Sequence, residues 1–280
     1  YQGKNQWVLA VSDPGTADVS GSNGFESDND GTGTTNTPRT DAKFSNVSIF
    51  GPKQTPSTTI HTDYRRSAHI RRSSLQDIFN SVFTGFPTGL RLESANSETA
   101  FLTSGEVKLK NNVYAAMTKL LDSTSVNSLT TVKAKLETEN TVFAAVADLM
   151  VSDPFNETNP NFLPLAGSPL LLGADFTSPE LTDPFFTTTT YRGAFGDTDW
   201  TNCWAEWDPI NADYSTAPLV YITKPTVTAG GATTFCQGGS VILSAPVGFQ
   251  YAWSNGATTQ DITVIAGGSY SVTVSSNRGC

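Results

Sequence analysis

Glu26-Ser27-Asp28-Asn29-Asp30-Gly31 sets three carboxylates at alternate positions ahead of a glycine. That spacing can aim several oxygens at one hard cation such as Ca²⁺. The EF-hand pattern demands a bidentate acid at its twelfth position, which here is Thr37, so this is not an EF-hand. Two readings stand: an irregular calcium site on Glu26, Asp28 and Asp30, or a solvated acidic loop. A basic cluster follows at Arg65, Arg66, His69, Arg71 and Arg72. Guanidinium groups at that density pair with acids or stack on aromatics such as Tyr64. His61 and His69 are too few, and too close to arginines, for a metal triad. A third constellation sets Asp197, Asp199, Glu206 and Asp208 around Trp200, Trp204 and Trp207. Carboxylates beside aromatic platforms suit glycosidic chemistry or sugar binding. The plainer reading turns the tryptophans inward and the acids to water. No Gly-x-Ser-x-Gly, phosphate loop, zinc ligand set or dinucleotide fingerprint occurs.

The elements that must carry these groups belong to a chain of 280 residues, enough for one large domain and one small one. A net charge of −9 argues against nucleic acid or an anionic membrane as partner. No apolar run approaches the roughly 20 residues of a membrane helix, so direct membrane insertion is not expected. The chain opens on Tyr1 without a methionine and stops on Cys280 inside a strand pattern, which reads as a piece of a longer protein.

Trp7 to Val11 form a short buried-strand run, and Asp13 to Thr40 is a long polar loop. Three similar strings then begin at Asn46, Asn80 and Asn111, spaced about 31 to 34 residues apart. Each reads as one coil of a solenoid whose apolar face is buried only by its neighbours. Asparagines at equivalent positions can stack into a hydrogen-bonded ladder inside the turns. Thr131 to Val151 breaks the pattern: Val132, Leu136, Phe143, Val146 and Met150 follow helical spacing, predicting an amphipathic helix inserted on the flank. The stretch 185–209, with three of the five tryptophans, predicts a closing cap on the preceding core. After a linker at 211–223, alternation returns in Val241-Ile-Leu-Ser, Tyr251-Ala-Trp and Ser271-Val-Thr-Val, predicting an antiparallel sandwich.

Asn161-Phe-Leu-Pro-Leu-Ala-Gly-Ser-Pro-Leu-Leu-Leu-Gly resembles the final coil of right-handed parallel β-helix proteins of the pectate-lyase-like superfamily, through Phe162, Gly167, Ser168, Pro169 and Gly173. Together with Tyr191-Arg-Gly-Ala-Phe-Gly, Trp200, Trp204 and Trp207-Asp-Pro, it resembles the end of β-helix regions in large secreted Bacteroidetes proteins, many of them type IX secretion cargo. Cys236-Gln-Gly-Gly, Trp253-Ser-Asn-Gly and Gly268-Ser-Tyr-Ser-Val-Thr-Val resemble the immunoglobulin-like repeats of surface adhesins from the same group.

The expected fold is therefore mainly β. A right-handed parallel β-helix with an inserted helix and a Trp-rich cap spans 1–210, and an incomplete immunoglobulin-like β-sandwich spans 224–280. The resemblance implies an extracellular or cell-surface structural and adhesion protein. Its expected partners are the export machinery, surface glycans or neighbouring surface proteins, including copies of itself. Related β-helix lyases use an arginine or lysine to remove a proton beside a uronate carboxylate that calcium neutralises. The rival reading is therefore a calcium-dependent polysaccharide-active enzyme using Arg66 or Arg71, although no lyase signature is present. A carbohydrate-binding protein without turnover is the third. Cys236 and Cys280 bracket the small unit, where a disulfide would staple it in an oxidising setting. Cys203 reads as a small buried hydrophobe. Asp122-Ser123-Thr124 resembles a Bacteroidetes O-glycosylation acceptor pattern at Ser123.

Overall fold

The computed structural model describes residues 2–123, 129–202, 205–212, 225–247 and 250–275. They form two compact units, Tyr1–Trp200 and Thr201–Cys280.

In the first unit the chain alternates between two parallel sheets. β1 (Lys4–Val11), β3 (Lys43–Phe50), β5 (Asp77–Phe79) with β6 (Val82–Thr84), β8 (Leu109–Lys110) with β9 (Val113–Ala115), and β11 (Thr141–Phe143) build one. β2 (Ser22–Ser27), β4 (Tyr64–Arg71), β7 (Thr88–Glu93) and β10 (Lys119–Ser123) build the other. Each turn of chain thus adds one layer to both sheets, which is the topology of a parallel β-helix. Equivalent positions recur after 34, 31 and 28 residues, from Val47 to Ser81, Asn112 and Asn140.

The repeating asparagines supply the corner that bends each coil. Asn46, Asn80 and Asn111 have φ of 55°, 51° and 61°, a left-handed conformation that asparagine tolerates better than most residues. β3 therefore kinks at Asn46, and its two halves carry β5 and β6 separately. A second row lies one residue further on. Ser81 N–H donates to Asn112 Oδ1 at 2.9 Å, and Asn112 N–H donates to Asn140 Oδ1 at 2.8 Å. Inside the coils Val47, Ile49, Ala68, Ile70, Phe83, Leu90, Leu92, Phe101 and Tyr114 form one core.

The predicted helix is shorter than its apolar spacing implied. α1 is a single turn at Ala95–Thr99, and α2 runs from Leu129 to Glu139. Asn140 then turns the chain, and Thr141–Phe143 join the first sheet as β11, parallel to β9. α2 buries Val132 and Leu136 completely in the core, so it seals the last coil rather than lying on a flank.

The resembling string at Asn161 also takes a different form. β12 (Val151–Asp153) and β13 (Asn161–Pro164) pair antiparallel, as a hairpin instead of a further coil. Ser168 donates its hydroxyl to the Leu149 carbonyl and caps the short turn Pro169–Leu171.

The predicted cap is realised sideways. Residues 172–200 run along the outside of the first sheet as a strap. Gly173 accepts from the Asn111 side chain, Asp175 N–H donates to Asn80 Oδ1 at 2.8 Å, and Thr187 exchanges bonds with the Gln6 side chain. Trp7 Nε1–H donates to Tyr191 Oη at 3.0 Å, and Asn46 Nδ2 donates to the Tyr191 carbonyl at 2.9 Å. Trp200 stacks on Phe195 with centroids 5.3 Å apart and an interplanar angle of 6°, and Phe195 stacks in turn on Phe162, which lies against Phe50. The tryptophan-rich stretch thus begins as packing on a coil's side, because Phe195, on which the Trp200 indole lies, stacks on the Phe162 ring that β13 offers there. Trp204 lies outside the described residues, and Trp207 belongs to the second unit.

In the second unit, β14 (Thr228–Ala229), β15 (Val241–Ser244) and β17 (Asp261–Val264) form one antiparallel sheet, and β16 (Gln250–Trp253) pairs with β18 (Val272–Ser275). Val241, Trp253, Ile262, Val264 and Val274 share one apolar cluster. Trp253 Nε1–H reaches the Thr259 carbonyl at 2.8 Å across the turn containing Gly256. The expected linker at 211–223 lies almost wholly outside the described residues, as do Cys203 and Cys280; Cys236 is exposed.

Candidate functional site

The strap covers the outer side of the first sheet, whereas the second sheet presents a row of charges. Strand alternation sends every second side chain outward, and parallel register aligns those side chains across coils. Glu26, His69, Arg91 and Asp122 stand on one such line; Asn23, Arg66, Thr88 and Lys119 line up three residues earlier, near the strand starts. Arg71 is aligned with Glu93. Between these lines lies a cleft of about 310 Å³ lined by Ser20, Asn23, Glu26, Arg65, Arg66, His69, Arg71, Arg91 and Glu93.

Most charges here pair between neighbouring coils. Arg71 contacts Glu26 at 2.5 Å and Asp28 at 2.6 Å, and Arg72 reaches Asp28 at 3.3 Å. Arg91 joins Glu93 at 3.0 Å and Asp122 at 2.8 Å. His69 Nε2 lies 2.9 Å from Glu93 Oε2. Arg66 has only a 3.8 Å approach to Asp122, and Arg65 a 3.8 Å approach to Asp63.

The electrostatics follow from that geometry. Burial lowers the His69 pKa below the ordinary imidazole value, and Arg66 and Arg71 add to the shift against the pull of Glu93. Burial opposes ionisation of Glu93, yet hydrogen bonds from His69 and Arg91 hold its carboxyl below the usual range. Burial also lowers the Arg66 pKa, helped by the neighbouring Arg91. Arg71 is shifted upward, chiefly by its hydrogen bond with Asp28.

The structure therefore brings together part of what the sequence singled out. Glu26, Asp28, Arg66, His69 and Arg71 meet around the cleft. Asp30 does not join them: its Oδ1 accepts from the backbone of Thr32, Gly33 and Thr34, and its Oδ2 from the Thr34 hydroxyl. Those bonds, led by Thr34, hold the Asp30 carboxyl well below the usual carboxylate range. Of the three carboxylates read as calcium ligands, Glu26 and Asp28 thus meet on the Arg71 guanidinium while Asp30 turns into its own loop, so the three do not share one centre. Among the described residues no group of three or more His, Cys, Asp or Glu is arranged to hold a metal ion. His61 is apart from the cluster, its Nδ1 3.6 Å from Asp63.

The acids near the tryptophans are divided. Asp197 is exposed and Asp199 half-buried in the first unit, while Glu206 and Asp208 fall in the second. Ser123 ends β10 half-buried, its hydroxyl donating to Glu98 Oε1 at 2.6 Å. Asn23, Arg91 and Glu93 carry no sequence motif, and Asp122 stands out only as part of the acceptor pattern at Ser123. Arg91 lies between the core residues Leu90 and Leu92, and the register sets it opposite His69 and Asp122.

A family model described as a pectate-lyase like beta helix domain matches residues 1–151, a span that contains both sheets' shared coils and the whole cleft. Comparison with curated proteins and with solved structures gave no match.

Proposed function

The chain belongs to the pectate-lyase-like β-helix family, and from that premise we propose that it is a secreted or cell-surface structural and adhesion protein. In this reading a right-handed β-helix presents a glycan-binding cleft, and an immunoglobulin-like module serves as spacer. One observation carries it: the charges around the cleft are braced against one another across consecutive coils, as in Arg71 with Glu26 and Asp28. Braced polar groups form a preorganised surface for hydroxyl-rich ligands while leaving few groups at liberty to move protons. Export by type IX machinery and an extracellular address belong to the same proposal and rest on the sequence resemblance. The test is a glycan panel assayed both for retention and for turnover. Retention without new chain ends supports the proposal; inertness across a broad panel overturns the role given to the cleft.

A second reading, cleavage of a uronate polymer, is favoured by Arg66 alone. Its guanidinium is largely buried, makes only a 3.8 Å approach to Asp122, and has its pKa lowered by burial and by Arg91. Arg71, shifted the other way by Asp28, is the weaker candidate base. Calcium enters this reading only by displacing Arg71 from Glu26 and Asp28. Depolymerisation that stops on chelation and is lost in Arg66→Ala would establish it over the first.

A further inference from the structure

We infer that Trp7, Tyr191 and Asp197 form a separate binding site, on the outer corner of the first sheet, for an uncharged polysaccharide. The inference goes beyond the cleft on the second sheet and does not depend on it. Trp7 falls between the paired residues Gln6–Ser45 and Val8–Val47, so it stands opposite Asn46. Asn80 and Asn111 occupy the same corner in the following coils. Trp7 holds φ 57° there, a conformation that asparagine tolerates and in which a bulky side chain is strained. Burial does not explain the tryptophan, because it remains 37% exposed. A corner that asparagine fills in every later coil thus carries an indole turned partly to solvent.

The ring is held in place. Trp7 Nε1–H donates to Tyr191 Oη at 3.0 Å, and the phenol keeps its own proton for a further acceptor. Gly196 leaves room for that phenol: a Cβ there would lie 2.6 Å from Tyr191 Cε1. Burial raises the Tyr191 pKa, the Trp7 bond opposes the rise, and the nearby Asp197 carboxylate adds to it. Asp197 is exposed; its Oδ1 accepts from the Thr198 hydroxyl at 3.1 Å, which leaves Oδ2 open to a ligand hydroxyl. The strap runs beside β1, with Asp183 at Lys4, Thr187 at Gln6 and Tyr191 at Trp7. Phe185, 51% exposed, therefore offers another ring along the same line. An indole face attracts the C–H face of a pyranose, while a phenol and a carboxylate at its edge engage the hydroxyls. Rings in line suit a chain of sugars, and Asp197 would repel a polyanion, so the ligand carries no charge.

The experiment runs the full chain in native gels containing dextran, galactomannan or mixed-linkage glucan, with polygalacturonate as the charged control. At least one of the three uncharged polymers should retard it, and added salt should change that little. Trp7→Asn installs the residue that the other coils carry at this corner. Its unfolding midpoint should therefore hold or rise while its affinity for the uncharged polymer falls about tenfold. Trp7→Phe keeps a ring and should retain part of the binding. Any retardation by polygalacturonate should be the same in Trp7→Asn as in the parent chain. The site is overturned if none of the three uncharged polymers binds, or if their binding survives Trp7→Asn. It is equally overturned if that variant's midpoint falls along with its binding, or if polygalacturonate retardation is lost in parallel. Failure of the uncharged polymers alone leaves the cleft reading standing; inertness toward all four removes both.

Discussion

Asn111 donates its side-chain amide to the side-chain carbonyl of Asn80, 2.8 Å away on the preceding coil, and both residues sit at positive φ. Asn80 also receives the Asp175 amide at 2.8 Å and donates to the Asp175 carbonyl at 3.0 Å, so it joins coil to strap as well as coil to coil. Asn80→Ala removes the partner of two donors at a fully buried corner and adds a left-handed alanine. It should lower stability by about 2–4 kcal/mol. Asn80→Gly retains the backbone freedom and should recover about 1 kcal/mol of that loss. Urea unfolding midpoints of the two variants check the order.

Gly193 should govern docking of the strap. It adopts φ 86°, and a Cβ there would meet Ser48 Oγ at 2.8 Å and Val82 Cγ2 at 2.9 Å. Its neighbour Ala194 donates to Ser48 Oγ at 2.9 Å. Gly193→Ala should therefore loosen residues 172–200 while the coils persist. Hydrogen exchange should accelerate along the strap and leave β4 and β7 unchanged; uniform acceleration would contradict the assignment.

Leu136 tests whether α2 seals the core. It is wholly buried among residues of the last coils. Leu136→Ala should destabilise by about 2–5 kcal/mol, as expected for a core cavity. A change under about 1 kcal/mol, read from the thermal midpoint, would place the helix outside the core.

Two carboxylates near Lys108 should give opposite pH signatures. Burial raises Asp77 to about 6, despite Lys43 and the Lys108 amide. Its folded-state pKa exceeds the unfolded value near 4, so its contribution is full below that value and is lost as pH rises through 6. Glu180 is also partly buried, yet hydrogen bonds from Lys108 and Ser178 bring it down to about 2. Its contribution is present above its ordinary 4.5 and disappears as pH falls through 2. Asp77→Asn should flatten stability between pH 4 and 6, and Glu180→Gln should flatten the acid limb. Unfolding midpoints across pH 2–8 would read both.

The sequence carried the coils because their corners need left-handed residues, and asparagine at a regular interval reports that need directly. It did not carry the strap. A cluster of aromatics says that something must be covered, not whether it is an end or a side. The apolar spacing overstates the helix, which ends at Glu139, because Phe143 continues the pattern of Val132 and Leu136. Pairing with β9, which no local pattern encodes, took Thr141–Phe143 into a strand instead. The cleft was half legible. Arg66, His69 and Arg71 stand out within one strand, but Arg91, Glu93 and Asp122 reach them only through registers set by distant chain segments.

A stack of repeats ordinarily senses only its nearest neighbours and can fray one layer at a time. Here residues 172–200 touch Gln6, Asn46, Asn80 and Asn111 in a single pass, tying the earliest layer to later ones. Pulling on either terminus of this unit must then break lateral ties in several layers at once. Resistance to load would come as one high barrier rather than a series of small yields.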